Sequence, residues 1–246
     1  MIWLRLELAY WLDLWEQKVR RLGEKWGYPQ AWFQEFQAYL GQPRMELWEF
    51  HVRYTLLRMD AEKKYMNRQL SADEAKEFYE EHDYFLWRNL VHRRHSAWRR
   101  VRTTMPHLGR LVEYGCGVAP VSSWVKRYRP CWVYDLWDLW GPASRYASWR
   151  VKTGVYQGAV KPMALRVDGV TALDVFEHLD NPIRIAHDLV DVLGSGGYMH
   201  WNIHYNESQN DLDLATREQL DATAKYLESV LEIVWRKGEY CVGRKR

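Results

Sequence analysis

The sequence predicts an α/β protein: a parallel sheet whose strands alternate with crossover helices, preceded by a helical region over residues 1–105. Three observations carry this. The first hundred residues hold helical periodicity almost throughout. From 110 the texture changes to short apolar runs, "RLVEYG", "CWVYDLW", "GVTALDVF" and "YMHWNI", separated by helical stretches. Strands that alternate with helices build parallel sheets, because each return crossing needs a connecting helix. The first run ends in a Gly-x-Gly turn, Gly115-Cys116-Gly117, as sheets that bind ligands at their carboxyl ends often do.

In the N-terminal region Leu4, Leu8, Trp11, Trp15 and Val19 recur at three- and four-residue steps, the spacing of one buried helix face. Arg5, Glu7, Asp13, Glu16 and Lys18 interrupt its apolar runs well short of the ~20 residues that span a bilayer, so it reads as a soluble amphipathic helix with no membrane span. "MELWEFHVRYTLLRM" and "FLWRNLVHRRHSAWRRV" are helical in the same way. "SADE" at 71–74 is a capping box that opens a helix at Ser71. Gly23, Gly27-Tyr28-Pro29 and Gly41-Gln42-Pro43 mark turns. Four to six helices result. In the basic stretch up to Arg102, Phe85, Leu86, Leu90 and Trp98 are expected to pack on the sheet while the arginines face water. The alternative is a grip on RNA phosphates with aromatic stacking on bases.

Composition excludes several classes. Apolar residues at 47% and charged residues at 27% are ordinary for a globular chain of 246 residues, and a net charge of +3 does not mark a polyanion binder. Three cysteines without CxxC spacing argue against a disulfide framework or a thiolate zinc site and fit a reducing, cytoplasmic setting. Fifteen tryptophans are mostly packing residues for core and interfaces.

Gly115 and Gly117 close the first strand, and "PVSSWVKRY" follows as a helix with Pro120 in its first turn. Glycine there permits positive φ and lets a ligand approach bare backbone. Asp135, eighteen residues beyond Gly117 in the second strand, has the separation of an acid that accepts from two ribose hydroxyls. No third glycine stands at Pro120, which disfavours a dinucleotide. Glu113, two residues before the first glycine, suits a cationic group better than a pyrophosphate.

"VEYGCGVAP" resembles the first motif of class I S-adenosylmethionine-dependent methyltransferases. "VYDLW" is similar to their second-strand acidic motif, "VDGVTALDVFEHLDNP" to the fourth-strand segment, and "LVDVLGSGGYMHWNI" to the helix, glycine turn and fifth strand that follow. The resemblance covers residues 111–203 and implies a Rossmann-like seven-stranded methyltransferase sheet, order 3-2-1-4-5-7-6, with "LEIVWRKGEYCVGRKR" as the antiparallel closing pair. The expected domains are therefore 1–105, a lid, substrate or dimer contact, and 106–246, the S-adenosylmethionine-binding domain. The resemblance makes Glu113, Gly115 and Gly117 the methionine-side loop, Asp135 the ribose ligand and Leu136 an adenine-side residue, with Asp174 beside the cofactor. Tyr84 and Arg88, four apart on a helix, would reach the methionine end. The third-strand acid that often meets the adenine amine has no counterpart in "SWRVKTGVYQGAVKPMALR".

Methyl transfer needs an aligned acceptor atom and, for some acceptors, removal of a proton. His178, after strand four, is either base or structural histidine; His204 and Tyr205, after strand five, are the other catalytic candidates. Glu177, His178 and His187 lack i, i+4 helix spacing, so no metal is expected. Asp180 or Asn181 caps the helix begun by Pro182, and Gly194 ends it. The expected activity is S-adenosylmethionine-dependent methylation of an O, N or C atom of a small molecule, with a homodimer as an option. Its rivals are a nucleic-acid methyltransferase and a non-catalytic interaction protein of the same fold.

Overall fold

The computed structural model describes residues 2–25, 31–42, 45–65, 70–92, 97–106, 109–157, 166–205 and 213–246. Six helices come first: α1 (Ile2–Lys25), α2 (Ala31–Leu40), α3 (Leu47–Lys64), α4 (Ala72–Glu81), α5 (Tyr84–His92) and α6 (Trp98–Thr104). The capping box opens α4 as expected, with Glu74 N–H donating to Ser71 Oγ at 3.3 Å and Ser71 N–H to the Glu74 carboxylate at 2.9 Å. The turn expected at Gly27-Tyr28-Pro29 lies outside the described residues.

The sheet follows: β1 (Arg110–Tyr114), α7 (Pro120–Tyr128), β2 (Val133–Trp137), α8 (Pro142–Val151), β3 (Val155–Tyr156), β4 (Val167–Ala172), a 3-10 turn at Phe176–His178, α9 (Pro182–Val192), β5 (Leu193–Asn202), α10 (Arg217–Val230), β6 (Leu231–Lys237) and β7 (Tyr240–Lys245). Strand order is β3-β2-β1-β4-β5-β7-β6, with β7 antiparallel to both neighbours. Asn181 caps α9 through Arg184 N–H at 3.2 Å. Gly194 does not end that helix: β5 begins at Leu193, and the glycine run is absorbed in a register shift against β4.

Alternate residues of the strands feed opposite cores. Leu111, Tyr134 and Leu136 pack with Trp98, Val121, Val125 and Ala147 on one face; Val112, Val170, Met199 and Trp201 pack with Leu189, Leu220 and Leu227 on the other. The helices ahead of the sheet add an aromatic core of Phe36, Phe50 and Trp87 that closes on Val118 and Tyr146. Arg150 of α8, buried to its tip, ties this layer down, bridging Glu35 of α2 at 3.1 Å and the Val118 carbonyl at 3.1 Å.

Two expectations fail here. In α1 the residues that pack on the sheet edge are Ile2, Leu6 and Tyr10, against Trp235 and Val242. Leu4, Leu8, Trp11 and Trp15 are 67%, 59%, 55% and 65% exposed. The helix is apolar on two sides, and Glu7 decides which one docks: it accepts from Trp235 Nε1 at 3.0 Å and pairs with Lys237 at 2.6 Å. The arginines do not all face water either. Trp98 packs on the sheet as expected, whereas Phe85, Leu86 and Leu90 are buried within the helical layer, and Arg100 is buried too, its guanidinium about 5 Å from the rings of Tyr10, Trp235 and Tyr240.

Candidate functional site

The carboxyl end of the sheet is built around the loop after β1. Gly115, Gly117 and Ala119 have φ of +63°, +49° and +49°. A Cβ on Gly115 would run into Val175, and one on Gly117 would come 2.9 Å from Asn89 Nδ2. The loop is thus a backbone cradle lying between the β4 exit and α5, with no room for a side chain at either glycine.

Glu113 lies beneath it. Its carboxylate accepts from Val121 N–H at 3.1 Å and Ser122 N–H at 2.7 Å, capping the N-terminus of α7. Burial pushes its carboxyl up while these N–H bonds pull it down. The residue therefore shapes the loop from below, where the sequence reading made it part of the cofactor-facing surface.

The largest correction concerns the second strand. Asp135 lies in mid-strand, level with Val112 of β1, and forms a bidentate pair with Arg110 near the opposite end of the sheet. It is structural, because the strand runs two residues beyond it before reaching the carboxyl edge. Leu136 is buried in the core with no exposed surface. At the edge itself stands Asp138, accepting from Gly117 N–H at 2.5 Å and Leu139 N–H at 2.7 Å. Burial pushes its carboxyl up. The sequence contains this residue three positions further along, but spacing alone selects Asp135, which the structure places in mid-strand.

Helices α4 and α5 overhang this edge. The Tyr79 backbone carbonyl abuts Gly141, and its ring stacks on Phe85 with centroids 3.9 Å apart. Burial raises its phenol well above the usual range, and the charges that act on it are those of Arg88, Asp138, Asp213 and Glu177. Tyr79 and Asn89 are site residues that no sequence signal announced. Arg88 is exposed beside them. Tyr84 shares the α5 face with Arg88 but is buried between Tyr54 and Phe78 in the helical layer.

Across the cleft, β4 and β5 deliver a polar cluster. Asp174, at φ +55°, donates its N–H to Asn202 Oδ1 at 2.8 Å. His204 Nε2 lies 2.6 Å from Asp174 Oδ1 and 2.9 Å from Asn202 Nδ2, while its Nδ1 pairs with Glu239. The Asp174 hydrogen bond and the carboxylates around it raise His204 to about 9. Atoms of Asp174, Glu177 and His204 converge within 4.8 Å of one another. His178 points to Asp213, Nδ1 to Oδ1 at 3.2 Å. Tyr205 turns away to Asp221 and Arg217 of α10, and burial with that hydrogen bond raises its phenol to about 12. His187 stacks on Tyr226 between α9 and α10, outside the site. The stretch 158–165 after β3, where an adenine-side acid was sought, lies outside the described residues.

A glycine cradle with positive φ, a carboxylate at the β2 edge and this strand order define a nucleoside-cofactor site of the class I methyltransferase kind. The sequence matches the family described as "Methyltransferase domain" over residues 86–228, and the chain belongs to it. S-adenosylmethionine is its methyl donor. Similar solved structures include an O-methyltransferase family protein from Burkholderia thailandensis, at 13% identity, 80% of this chain and 71% of that chain, with a TM-score of 0.50. A methyltransferase from Thermotoga maritima, described as a possible histamine N-methyltransferase, aligns at 18% identity over 67% of this chain and 95% of that one, TM-score 0.47. The calicheamicin amino pentose methyltransferase of Micromonospora echinaspora, solved with S-adenosylmethionine bound, aligns at 15% over 60% and 87%, TM-score 0.48. At such identities the likeness concerns the fold alone. A search of curated proteins finds no match. Among the described residues no helix is long and apolar enough to cross a membrane.

Proposed function

We propose that the chain methylates an O, N or C atom of a small-molecule acceptor. The observation that carries this is the sign of the site: Asp174, Glu177, Asp213 and Glu239 gather at the exits of β4, β5 and β6, and a phosphodiester backbone would be repelled there. Three of the arginines that a nucleic-acid reading would use are committed elsewhere, while Arg88 is exposed. Arg99 and Arg102 lie over Trp98, and Arg100 is buried in its aromatic box.

When bound, S-adenosylmethionine supplies an electrophilic methyl group for in-line displacement. In this reading Gly115 and Gly117 present bare backbone to it, Asp138 accepts the ribose hydroxyls, and Glu113 holds the loop in shape. Asn89, Tyr79 and Arg88 cover the cleft from α4 and α5. His178, oriented by Asp213, is the proton acceptor for acceptors that must lose one. His204 is held at both ring nitrogens and acts as a positioning residue. No proton role is assigned to Tyr205.

Residues 1–105 act as cover and as a contact with a second copy. The exposed indoles of α1 alone present on the order of 300–400 Å². With Leu4, Leu8 and Leu12 the stripe exceeds the few hundred Å² of apolar surface that monomers usually expose and approaches one side of a standard interface. Sedimentation should give a dimer that Leu8→Glu with Trp15→Glu dissociates; a monomeric parent would reject this contact.

Calorimetric titration with S-adenosylmethionine and its demethylated product, followed by methyl transfer to panels of small acceptors and to RNA, tests the function. Transfer to RNA with a steep salt dependence would replace the small-molecule reading.

A further inference from the structure

We propose that Asp174, Glu177 and His204 form a divalent-cation site at the mouth of the acceptor cleft. Two carboxylates and one imidazole, drawn from the β4 exit, the 3-10 turn and the end of β5, bring their donor atoms within 4.8 Å of one another. Ligand atoms on one ion of this size stand roughly 3–4 Å apart, so small side-chain rotations complete the set.

The observation that points to an ion is Glu177. The residue is 3% exposed, and among the described residues Oε2 has no hydrogen-bond partner. A proton shared between His204 and Asp174 satisfies those two groups and leaves Glu177 Oε2 without a donor, the charges of His178 and His204 acting on it only through space, and burying such an oxygen unbonded is disfavoured. A cation between the three resolves it. The surroundings are those of a metal-binding histidine: Glu239 takes Nδ1, which directs the Nε2 lone pair into the cluster, and Asn202 holds Asp174 through its main-chain N–H. Mixed oxygen and nitrogen donors suit Mn2+, Mg2+ or Zn2+. Three protein donors leave coordination positions for water or for an oxygen of the acceptor, whose proton the ion would make more acidic. That last consequence rests on the methyltransferase reading; binding of the ion does not.

The test uses the full chain, dialysed against chelator and titrated with Mn2+ by electron paramagnetic resonance and with Zn2+ by calorimetry. One ion per chain is expected, with a rise in Tm at saturation. Glu177→Gln and His204→Gln should each weaken binding about 100-fold or more, and Glu239→Gln, on the exposed rim, about 10–100-fold. If Glu177→Gln fails to fold, the other two variants carry the comparison. A folded parent that takes up neither ion at about 1 mM, or variants that bind as the parent does, overturns the proposal. Titration with S-adenosylmethionine on the same samples keeps the two questions apart, since cofactor binding without ion binding sinks only the metal site.

Discussion

Asp138 and Asp135 are three residues apart, and the structure assigns them different work. Asp138→Asn retains one acceptor oxygen for the two loop N–H groups and removes a buried charge, so the two changes oppose each other and the ligand-free fold should melt within a few degrees of the parent. The bound state should suffer. Charge-assisted hydrogen bonds to the ribose hydroxyls are worth roughly 1.5–3 kcal/mol each. Losing about 3 kcal/mol in total raises Kd for S-adenosylmethionine roughly 100-fold. Asp135→Asn does the reverse. It leaves Arg110 without its counter-charge at a site where breaking a buried pair costs up to ~3–5 kcal/mol. Because the Arg110 side chain is 20% exposed, a smaller loss of about 2 kcal/mol is expected, or roughly 4–8 °C in Tm. Affinity at a temperature where the variant is folded should stay near the parent's. Calorimetry paired with thermal unfolding reads both quantities. Loss of binding in Asp135→Asn at unchanged Tm, with Asp138→Asn binding normally, would refute the assignment.

Three further perturbations discriminate. Gly115→Ala places a Cβ against Val175 at a backbone φ of +63°, and should abolish cofactor binding and lower Tm; normal binding would show that the loop is not the cradle. His200 is buried neutral beside Arg100 and bonded to Thr104, and its burial pushes it down to about 3. Since the folded value lies below the ordinary 6.5, the neutral form's stabilisation is complete above 6.5 and is lost as pH falls toward 3; at pH 5 the loss is about 2 kcal/mol. Denaturant unfolding should show that slope, and His200→Gln should flatten it; an equal slope in both would assign the acid sensitivity to other groups. Arg150→Ala removes the tie between Glu35 and the Val118 carbonyl and should cost about 3 kcal/mol, roughly 6–12 °C. An unchanged Tm would mean that the aromatic core alone docks α2 on the glycine loop.

The strand order followed from the resemblance to the methyltransferases, whereas the capping box of α4, the cap of α9 and the glycine turn were legible because each rests on local chemistry: a Ser with a Glu three residues on, an Asn before a Pro, a backbone that needs positive φ. Asp135 was misread because the decision between it and Asp138 depends on where the strand meets the sheet edge, and edges are set by neighbours in space. Tyr79 and Asn89 were invisible for the same reason. They come from helices that precede the sheet in the chain, and only tertiary packing brings them over Gly141 and Gly117.

The apolar face of α1 shows the limit of periodicity most clearly. A three-four repeat identifies which side chains lie together, and Leu4, Leu8, Trp11 and Trp15 do lie together. It does not say what covers them. Ile2, Leu6 and Tyr10 form a second, shorter line on the same helix, and it is this line that fits against Trp235 and Val242. Glu7, next to Leu6, is fixed there by Trp235 and Lys237, and that polar anchor holds this line on the strand edge. The other line then has nowhere to go but outward. A chain that needed α1 only as a monomer's edge cover would lose nothing by carrying polar residues at those four positions, which is the physical reason the stripe is assigned to a second copy.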